Sequence, residues 1–373
     1  MLKIRTDYKT QYHLFKDYFF TALSTAINYP LVKPKSINLE ITERCPLSCV
    51  MCNIKNKNRG EKGELTLGQL EEIVDQAKSW GINHISFAGG ETLVRKDDTI
   101  KTIAYAAERG MRTELITNGH FLDYETCKSL LTAGLSKLAI SVDGANKTTH
   151  DFIRGKGSFE KAMQAAKNLA KLRKNAKIEL EFTTTVMSHN FRELIDVYEL
   201  MKKSGFDFIN YQALVPDNSF QNNGNGNFSY DSSLWINEND IRGLERVVEK
   251  IIEIKKRTGD IRNSESYLKL IPKYFAQKNK FKTAKCLAGY TLLNVDAYGN
   301  ISACSFGPNL NINKSNLLKI WKSKEFNKTR KLIKNCRQPC LMLCYEKLSL
   351  KDFYKSFMQK KLRPWKQAKK LDM

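Results

Sequence analysis

The segment Ile37-Asn-Leu-Glu-Ile-Thr-Glu-Arg-Cys45-Pro-Leu-Ser-Cys49-Val-Met-Cys52 decides the fold and the chemistry together. Its first residues place apolar side chains at every second position, as a half-buried strand does, and three cysteines follow the strand's end. The C-terminal ends of strands are where α/β sheets and barrels collect their chemistry. Three thiolates on so short a loop can hold three corners of a cubane iron-sulfur cluster and leave one iron open. The alternatives are a zinc site, which usually takes four ligands in tighter pairs, and buried structural cysteines, which rarely come so densely.

Working outward, β-rich and helical stretches alternate: helix 66–80, strand 84–88, helix 98–109, strand 112–117, helix 123–132, strand 137–142, helix 158–173, strand 178–186, helix 191–203 and strand 206–214. Six β/α units in series predict a parallel sheet with helices outside, as an open doubly wound sheet or a partial barrel. Upstream, Tyr12, Phe15, Phe19, Leu23 and Ile27 recur three or four apart, which predicts an amphipathic helix packed on its own domain. Downstream, residues 216–233 are turn formers almost without aliphatics and read as a loop. A helix over 238–257 and a Lys-rich connection then lead to Cys286, where a second domain begins.

The chain of 373 residues, 42% hydrophobic, is long enough for one large domain and a small appended one. No stretch approaches the roughly 20 apolar residues of a membrane span, so a soluble, cytoplasmic protein is expected. The formal charge is +23, and residues 346–373 carry nine Lys or Arg against three Asp or Glu. Such a surface attracts anions: nucleic acid, an acidic electron donor, an anionic membrane or a phosphorylated substrate. Of nine cysteines, eight fall into two clusters, which favours metal ligation over disulfides. Cys127 stands alone within an expected helix and reads as a small buried side chain.

The C-x3-C-x2-C spacing, with Met51 before the third cysteine, resembles the radical S-adenosylmethionine (SAM) superfamily, and the likeness runs over roughly residues 37–215. Further motifs follow successive strands in order. Gly89-Gly90-Glu91 is similar to the turn that engages the SAM amino group, with Thr92 where the family has Pro. Thr117-Asn118-Gly119 and Ser141-Val-Asp143-Gly144 are similar to elements near the SAM methionine and ribose. His150-Asp-Phe-Ile-Arg154-Gly155 matches a stretch seen in members with extra clusters, which would give Arg154 a SAM carboxylate contact, and Val186 falls where the adenine packs. These residue types have the matching chemistry, because glycines admit close backbone approach, a carboxylate accepts from an ammonium, and Ser or Asn bonds sugar hydroxyls.

The remaining cysteines are Cys286, Cys304, Cys336, Cys340 and Cys344, in a module of about sixty residues, too small for a generous core of its own. Metal binding is expected to stabilise it. Asp296-Ala-Tyr-Gly299-Asn between β-like runs reads as a hairpin turn. The run from Cys286 through Gly299 to Cys304, then Ile320-Trp321, Phe326 and Arg330, is similar to the SPASM and twitch modules of radical SAM enzymes. A full SPASM module has seven cysteines and two clusters. Five argue for one auxiliary 4Fe-4S cluster, on Cys286, Cys304 and two of Cys336, Cys340 and Cys344, with structural zinc as the competing reading.

The resemblance implies a partial (β/α)6 barrel of the radical SAM type with a small cysteine-rich C-terminal α+β module. The expected divisions are a helical segment 1–35, the barrel 36–235, a helical connection 236–285, the iron-sulfur module 286–345 and a basic tail 346–373. It implies a 4Fe-4S cluster held by three cysteines and SAM, which cleaves SAM reductively to a 5′-deoxyadenosyl radical that abstracts hydrogen from a small-molecule or peptide substrate. An acidic donor such as flavodoxin or ferredoxin would supply the electron. The short segment before the first strand leans the expectation to a small or phosphorylated molecule. A nucleic-acid-binding protein with structural clusters is the alternative, suggested by charge and by aromatic residues near both ends; it has no need of the Gly89–Glu91 turn.

Overall fold

Parallel strands that follow one another in sheet order can only curl one way. In the computed structural model the order is β6-β5-β4-β3-β2-β1, with every neighbouring pair parallel. These strands are β1 (Ser36–Thr42), β2 (His84–Gly89), β3 (Arg112–Thr117), β4 (Lys137–Ser141), β5 (Glu179–Val186) and β6 (Phe208–Ala213). Because right-handed crossovers never reverse direction here, the helices between strands share one face and the sheet is a partial barrel rather than a doubly wound sheet. The structure describes residues 8–54, 60–173, 176–215, 232–277, 281, 286–304, 310–336 and 340–342.

The helices are α1 (Tyr8–Ile27), α2 (Leu67–Ser79), α3 (Lys96–Glu108), α4 (Tyr124–Thr132), α5 (Lys147–Arg154), α6 (Ser158–Leu172), α7 (Leu194–Lys203), α8 (Ile241–Thr258) and α9 (Glu265–Gln277). Their starts are chemically marked. The Thr66 hydroxyl and the Gln69 side chain form a reciprocal capping box on α2, while Asp123 and Asn146 accept from Thr126 N and Thr149 N to open α4 and α5. One face of the strands is apolar and buried: Ile37, Leu39 and Ile41, then Ile85 and Phe87, Leu138 and Ile140, Leu180 and Phe182. The alternate residues line the concave side and are polar, as where Lys137 Nζ lies 2.9 Å from both Glu114 and Glu181.

The C-terminal module is not separate from this sheet. β7 (Leu292–Val295) pairs in parallel with β1, and β8 (Asn300–Ser302) and β9 (Leu310–Asn311) add antiparallel strands, giving nine in one sheet. The turn after β7 is the expected hairpin, with Asp296 Oδ1 accepting from Tyr298 N and Asn300 N. Helices α10 (Leu317–Lys322) and α11 (Lys324–Lys334) complete the described module.

Two expectations change. The stripe on α1 does not pack inward throughout: Phe19 and Ile27 are each 52% exposed, whereas Thr21 and Ser24 are buried, their hydroxyls bonded to the Asp17 and Phe20 carbonyls. Small hydroxyl residues that bond their own backbone allow the closer approach, so helical period alone chose the wrong face. Residues 236–285 are more than a connection. α9 runs as a helix despite the internal Pro272, and the segment before it seals the free edge of β6. There Ile261 bridges Ile209, and the Asn263 side chain both accepts from Tyr211 N and donates to Tyr211 O at 2.8 Å, standing in for a strand. The loop 216–233, apart from its last residues, and the basic tail lie outside the described residues. Among the described residues no helix is long and apolar enough to cross a membrane.

Candidate active site

The thiol loop is braced before it begins. Arg44 and Arg95 both pair with the buried Glu64 carboxylate, at 3.1 and 3.6 Å, and Thr42 Oγ1 donates to the same group. Arg95 also donates to the Ile41 carbonyl at 3.1 Å, fixing the end of β1. Cys45, Cys49 and Cys52 then follow as free, partly buried thiols. Burial pushes the Cys45 thiol up to about 11 and also raises Cys49, where the Arg154 guanidinium pulls the other way. An iron ion reverses that preference, since a metal-bound thiol is deprotonated. Three thiol donors, with Cys52 close enough to raise the pKa of both Cys45 and Cys49, match the donor set of an iron-sulfur cluster.

The Gly89-Gly90-Glu91 turn is laced to this loop through its main chain. Gly90 N donates to Thr42 O at 2.7 Å and Glu91 N to Arg44 O at 2.8 Å. The approach is so close that a Cβ at either glycine would collide with the backbone of residues 42–44. Glu91 itself is buried, and its carboxylate accepts from Thr117 Oγ1 at 2.7 Å, Asn118 N at 2.8 Å and Leu93 N at 3.2 Å. Burial raises its pKa, and those donors pull it partly back. Asn118 in turn reaches Cys45, with Nδ2 3.7 Å from Sγ. The ends of β1, β2 and β3 are thus knotted around the first cysteine.

A second knot joins β4 and β5 to α5. Arg154 Nε bonds Asp143 Oδ2 at 2.6 Å, Thr185 N donates to the other oxygen at 2.6 Å, and both Asp143 and Arg154 are buried. Burial alone would lower the Arg154 pKa; Asp143 and the Cys49 thiol hold it above its usual value. The Arg154 and Ile153 carbonyls accept from Cys49 Sγ at 3.8 Å and Val50 N at 2.9 Å, so α5 carries the middle of the thiol loop. His150 Nδ1 accepts from Asp143 N at 3.2 Å, and Asn190 Nδ2 donates to Asp143 O and Thr185 O.

Among the residues expected to hold SAM, Met51, Gly89, Gly90 and Ser141 keep exposed surface, and Asn118 keeps a little. Glu91, Thr117, Asp143 and Arg154 are buried and satisfy each other or the backbone, so they frame the site. Val186 is completely buried in the hydrophobic core, on the same side of β5 as Phe182. Sequence reading missed Glu64, Arg95 and Asn190, whose ties to this site run to Arg44, Ile41 and Asp143, each 20 or more residues away.

In the C-terminal module Cys286, Cys304 and Cys340 are partly buried and Cys336 is exposed. Burial pushes Cys286 up to about 11, and Cys336 lies near enough to raise it further. Leu341, next to Cys340, has its carbonyl clasped by Gln212 Nε2 at 2.7 Å and Tyr267 Oη at 3.0 Å. The segment carrying Cys340 therefore docks on the last strand of the barrel. Cys344 lies outside the described residues.

Comparison with known proteins agrees with this geometry. The model of the radical SAM superfamily matches residues 39–201, and that of the SPASM iron-sulfur cluster-binding domain matches residues 286–345. An AdoMet-dependent heme synthase of Methanosarcina barkeri is 30% identical over 320 residues, covering 80% of this chain and 85% of the relative. A PqqA peptide cyclase of Rhodopseudomonas palustris is 26% identical, covering 84% and 80%. Streptococcus suis SuiB bound to S-adenosylmethionine superposes with a TM-score of 0.62 at 17% identity, covering 89% of this chain and 75% of that one, a likeness that establishes the fold alone. With two motif-bearing regions, the fold and a relative matched along most of both chains, this protein belongs to the radical SAM superfamily, as an enzyme with a C-terminal SPASM iron-sulfur domain.

Proposed function

We propose that Cys45, Cys49 and Cys52 bind the 4Fe-4S cluster of SAM cleavage, and that SAM lies against Gly89, Gly90, Asn118 and Ser141. When bound, cluster and SAM supply reductive cleavage to methionine and a 5′-deoxyadenosyl radical that takes hydrogen from the substrate. The chain's own part is placement. The Gly89–Glu91 turn offers main-chain groups at close range, the Glu91 knot fixes that turn to Asn118, and the Asp143–Arg154 pair holds α5 beneath the loop. The observation that carries this reading is the lacing of three free thiols to that turn by two main-chain hydrogen bonds.

The auxiliary cluster is assigned to Cys286, Cys304 and two of Cys336, Cys340 and Cys344, and the closeness of Cys336 to Cys286 favours Cys336 as one of them. The docking of Leu341 on Gln212 supports a cluster near the barrel mouth, able to take an electron from a substrate radical in a net oxidation. For the substrate, a small molecule is favoured over a ribosomal peptide. The M. barkeri relatives named for AdoMet-dependent heme and Fe-coproporphyrin III synthesis are 30% and 33% identical, the latter over 47% of this chain, so an iron porphyrin is the first compound to test. The peptide reading has the PqqA cyclase match behind it. The surplus of 62 Lys and Arg over 39 Asp and Glu suits an acidic donor such as flavodoxin or ferredoxin, and reduced cysteines suit the cytoplasm.

Anaerobic reconstitution followed by iron, sulfide and zinc analysis, with EPR of the reduced protein with and without SAM, tests the assignment. About eight irons per chain and a signal that SAM perturbs are expected. Zinc alone would overturn it. Deoxyadenosine formation with an iron porphyrin against a peptide then separates the two substrate classes.

A further inference from the structure

Arg330, on α11, is completely buried in the C-terminal module, and among the described residues no carboxylate pairs with it. Its Nε donates to the Gly289 carbonyl at 2.8 Å and one terminal nitrogen donates to Asn327 Oδ1 at 2.6 Å. The other terminal nitrogen has no hydrogen-bond partner. Trp321, Phe326 and Tyr290 surround the guanidinium, with ring centroids 4.5, 4.6 and 5.5 Å from its central carbon. Burial draws its pKa down to about 10, which leaves it charged at neutral pH. Aromatic faces offset part of the burial penalty of a cation, but a buried charge of this kind ordinarily has a counter-charge.

Its place in the module indicates which. Gly289, whose carbonyl it binds, lies three residues after Cys286, and Ala303 lies immediately before Cys304. A Cβ on Gly289 would sit 3.2 Å from Arg330 Cγ and 3.4 Å from Ala303 Cβ, so the Arg330 stem passes where the two cysteine-bearing turns meet. A 4Fe-4S cluster held by four thiolates carries net negative charge, and one-electron reduction adds one more. We propose that Arg330 is the built-in counter-charge of the auxiliary cluster, a positioning residue that touches no substrate and raises the cluster's reduction potential so that it accepts an electron more readily. A fixed cation in a low-dielectric interior favours the more negative of the two redox states. The inference rests on the assignment of an auxiliary cluster to this module.

The test is an EPR-monitored redox titration of the reconstituted full chain. Arg330→Met is expected to shift the auxiliary potential to more negative values while the SAM-responsive signal of the first cluster stays in place, and Arg330→Lys restores most of the wild-type value. Because Arg330→Met can also weaken folding, Asn327→Asp provides a second route: it keeps the arginine and its hydrogen bond but sets a carboxylate beside it, and a smaller shift of the same sign is expected. Iron content is measured on every variant. Wild-type iron with an unmoved potential in Arg330→Met or Asn327→Asp would reduce Arg330 to a packing residue of its aromatic box. Zinc in place of iron in the wild-type module removes the cluster reading itself and this role with it, and is recognised before any variant is made.

Discussion

The loop from Cys45 to Cys52 is held by main-chain and side-chain bonds from the ends of β2 and β3 and from α5, whereas the C-terminal thiols come from separate turns between residues 286 and 340. Ties on the second set include a contact of Ala288 N with Cys286 Sγ at 3.4 Å, the bond from Cys336 N to the Ile333 carbonyl at 3.1 Å, the Arg330 bond to Gly289 and the double clasp on Leu341. The first site is a feature of the barrel, built on six strands whose core is complete beneath it. The second closes a small module whose strands extend a sheet begun elsewhere. A site of the first kind should exist without its metal; one of the second kind should draw part of its own folding from the metal.

The sharpest way to break that contrast is to remove the thiols. Cys45→Ala, Cys49→Ala or Cys52→Ala is expected to abolish deoxyadenosine formation while leaving the thermal unfolding of the metal-free protein almost unchanged, because the frame of the loop rests on main-chain bonds and its sulfurs add only the long contacts to Asn118 Nδ2 and the Arg154 carbonyl. Cys286→Ala or Cys304→Ala is expected to do the reverse: SAM cleavage persists, substrate turnover stops, and the module loses hydrogen-exchange protection around β7 and β8. Equal loss of protection from both sets of variants would erase the distinction.

Next in size is the buried pair under the first loop. Arg154→Met leaves Asp143 charged and unpaired in the interior, which typically costs about 3–5 kcal/mol. Urea unfolding of the metal-free protein measures it. The companion variant Arg154→Met/Asp143→Leu, which removes both charges, is expected to recover part of that loss, though Thr185 N then lacks its acceptor. A loss well under about 1 kcal/mol in the single variant would mean that the strand-end knots do not carry the frame.

The same contrast explains what could be read from the chain. Cys45, Cys49, Cys52 and the strand-end glycines sit at fixed short offsets from strongly alternating strands, so the parallel β/α series and its reactive end were legible from period and order, while the choice of a barrel over an open sheet came from the family resemblance. What could not be read depends on distant partners. The pairing of β7 with β1 joins residues more than 250 positions apart. Asn263 replaces a strand partner by geometry that its neighbours in sequence do not announce. Identity was also more legible than role. Glu91 and Asp143 stand where the motifs put them, yet their carboxylates are spent on Thr117, Asn118, Arg154 and Thr185, inside the frame.

The smallest effect expected is also the most specific to that frame. His150 is completely buried on α5, its Nδ1 accepting from Asp143 N. Burial, helped by the Arg154 charge, lowers its pKa from an ordinary 6.5 to about 4. Unfolded chain therefore takes up a proton between those two values while the folded protein does not, so this contribution to stability is present above pH 6.5 and is lost as pH falls toward 4. Between pH 7 and pH 5 the loss amounts to about 2 kcal/mol from this residue. Glu114, which His84 and Lys137 hold down to about 2 against the opposing effect of burial, loses its contribution only at lower pH, below its ordinary 4.5, and so does not confuse the window. Urea unfolding of the metal-free protein at the two pH values, repeated on His150→Gln, isolates the effect: the variant should show a correspondingly flatter dependence. If it kept the full wild-type slope, the proton uptake would lie elsewhere, and α5 would not be the acid-sensitive support of the thiol loop that its buried histidine implies.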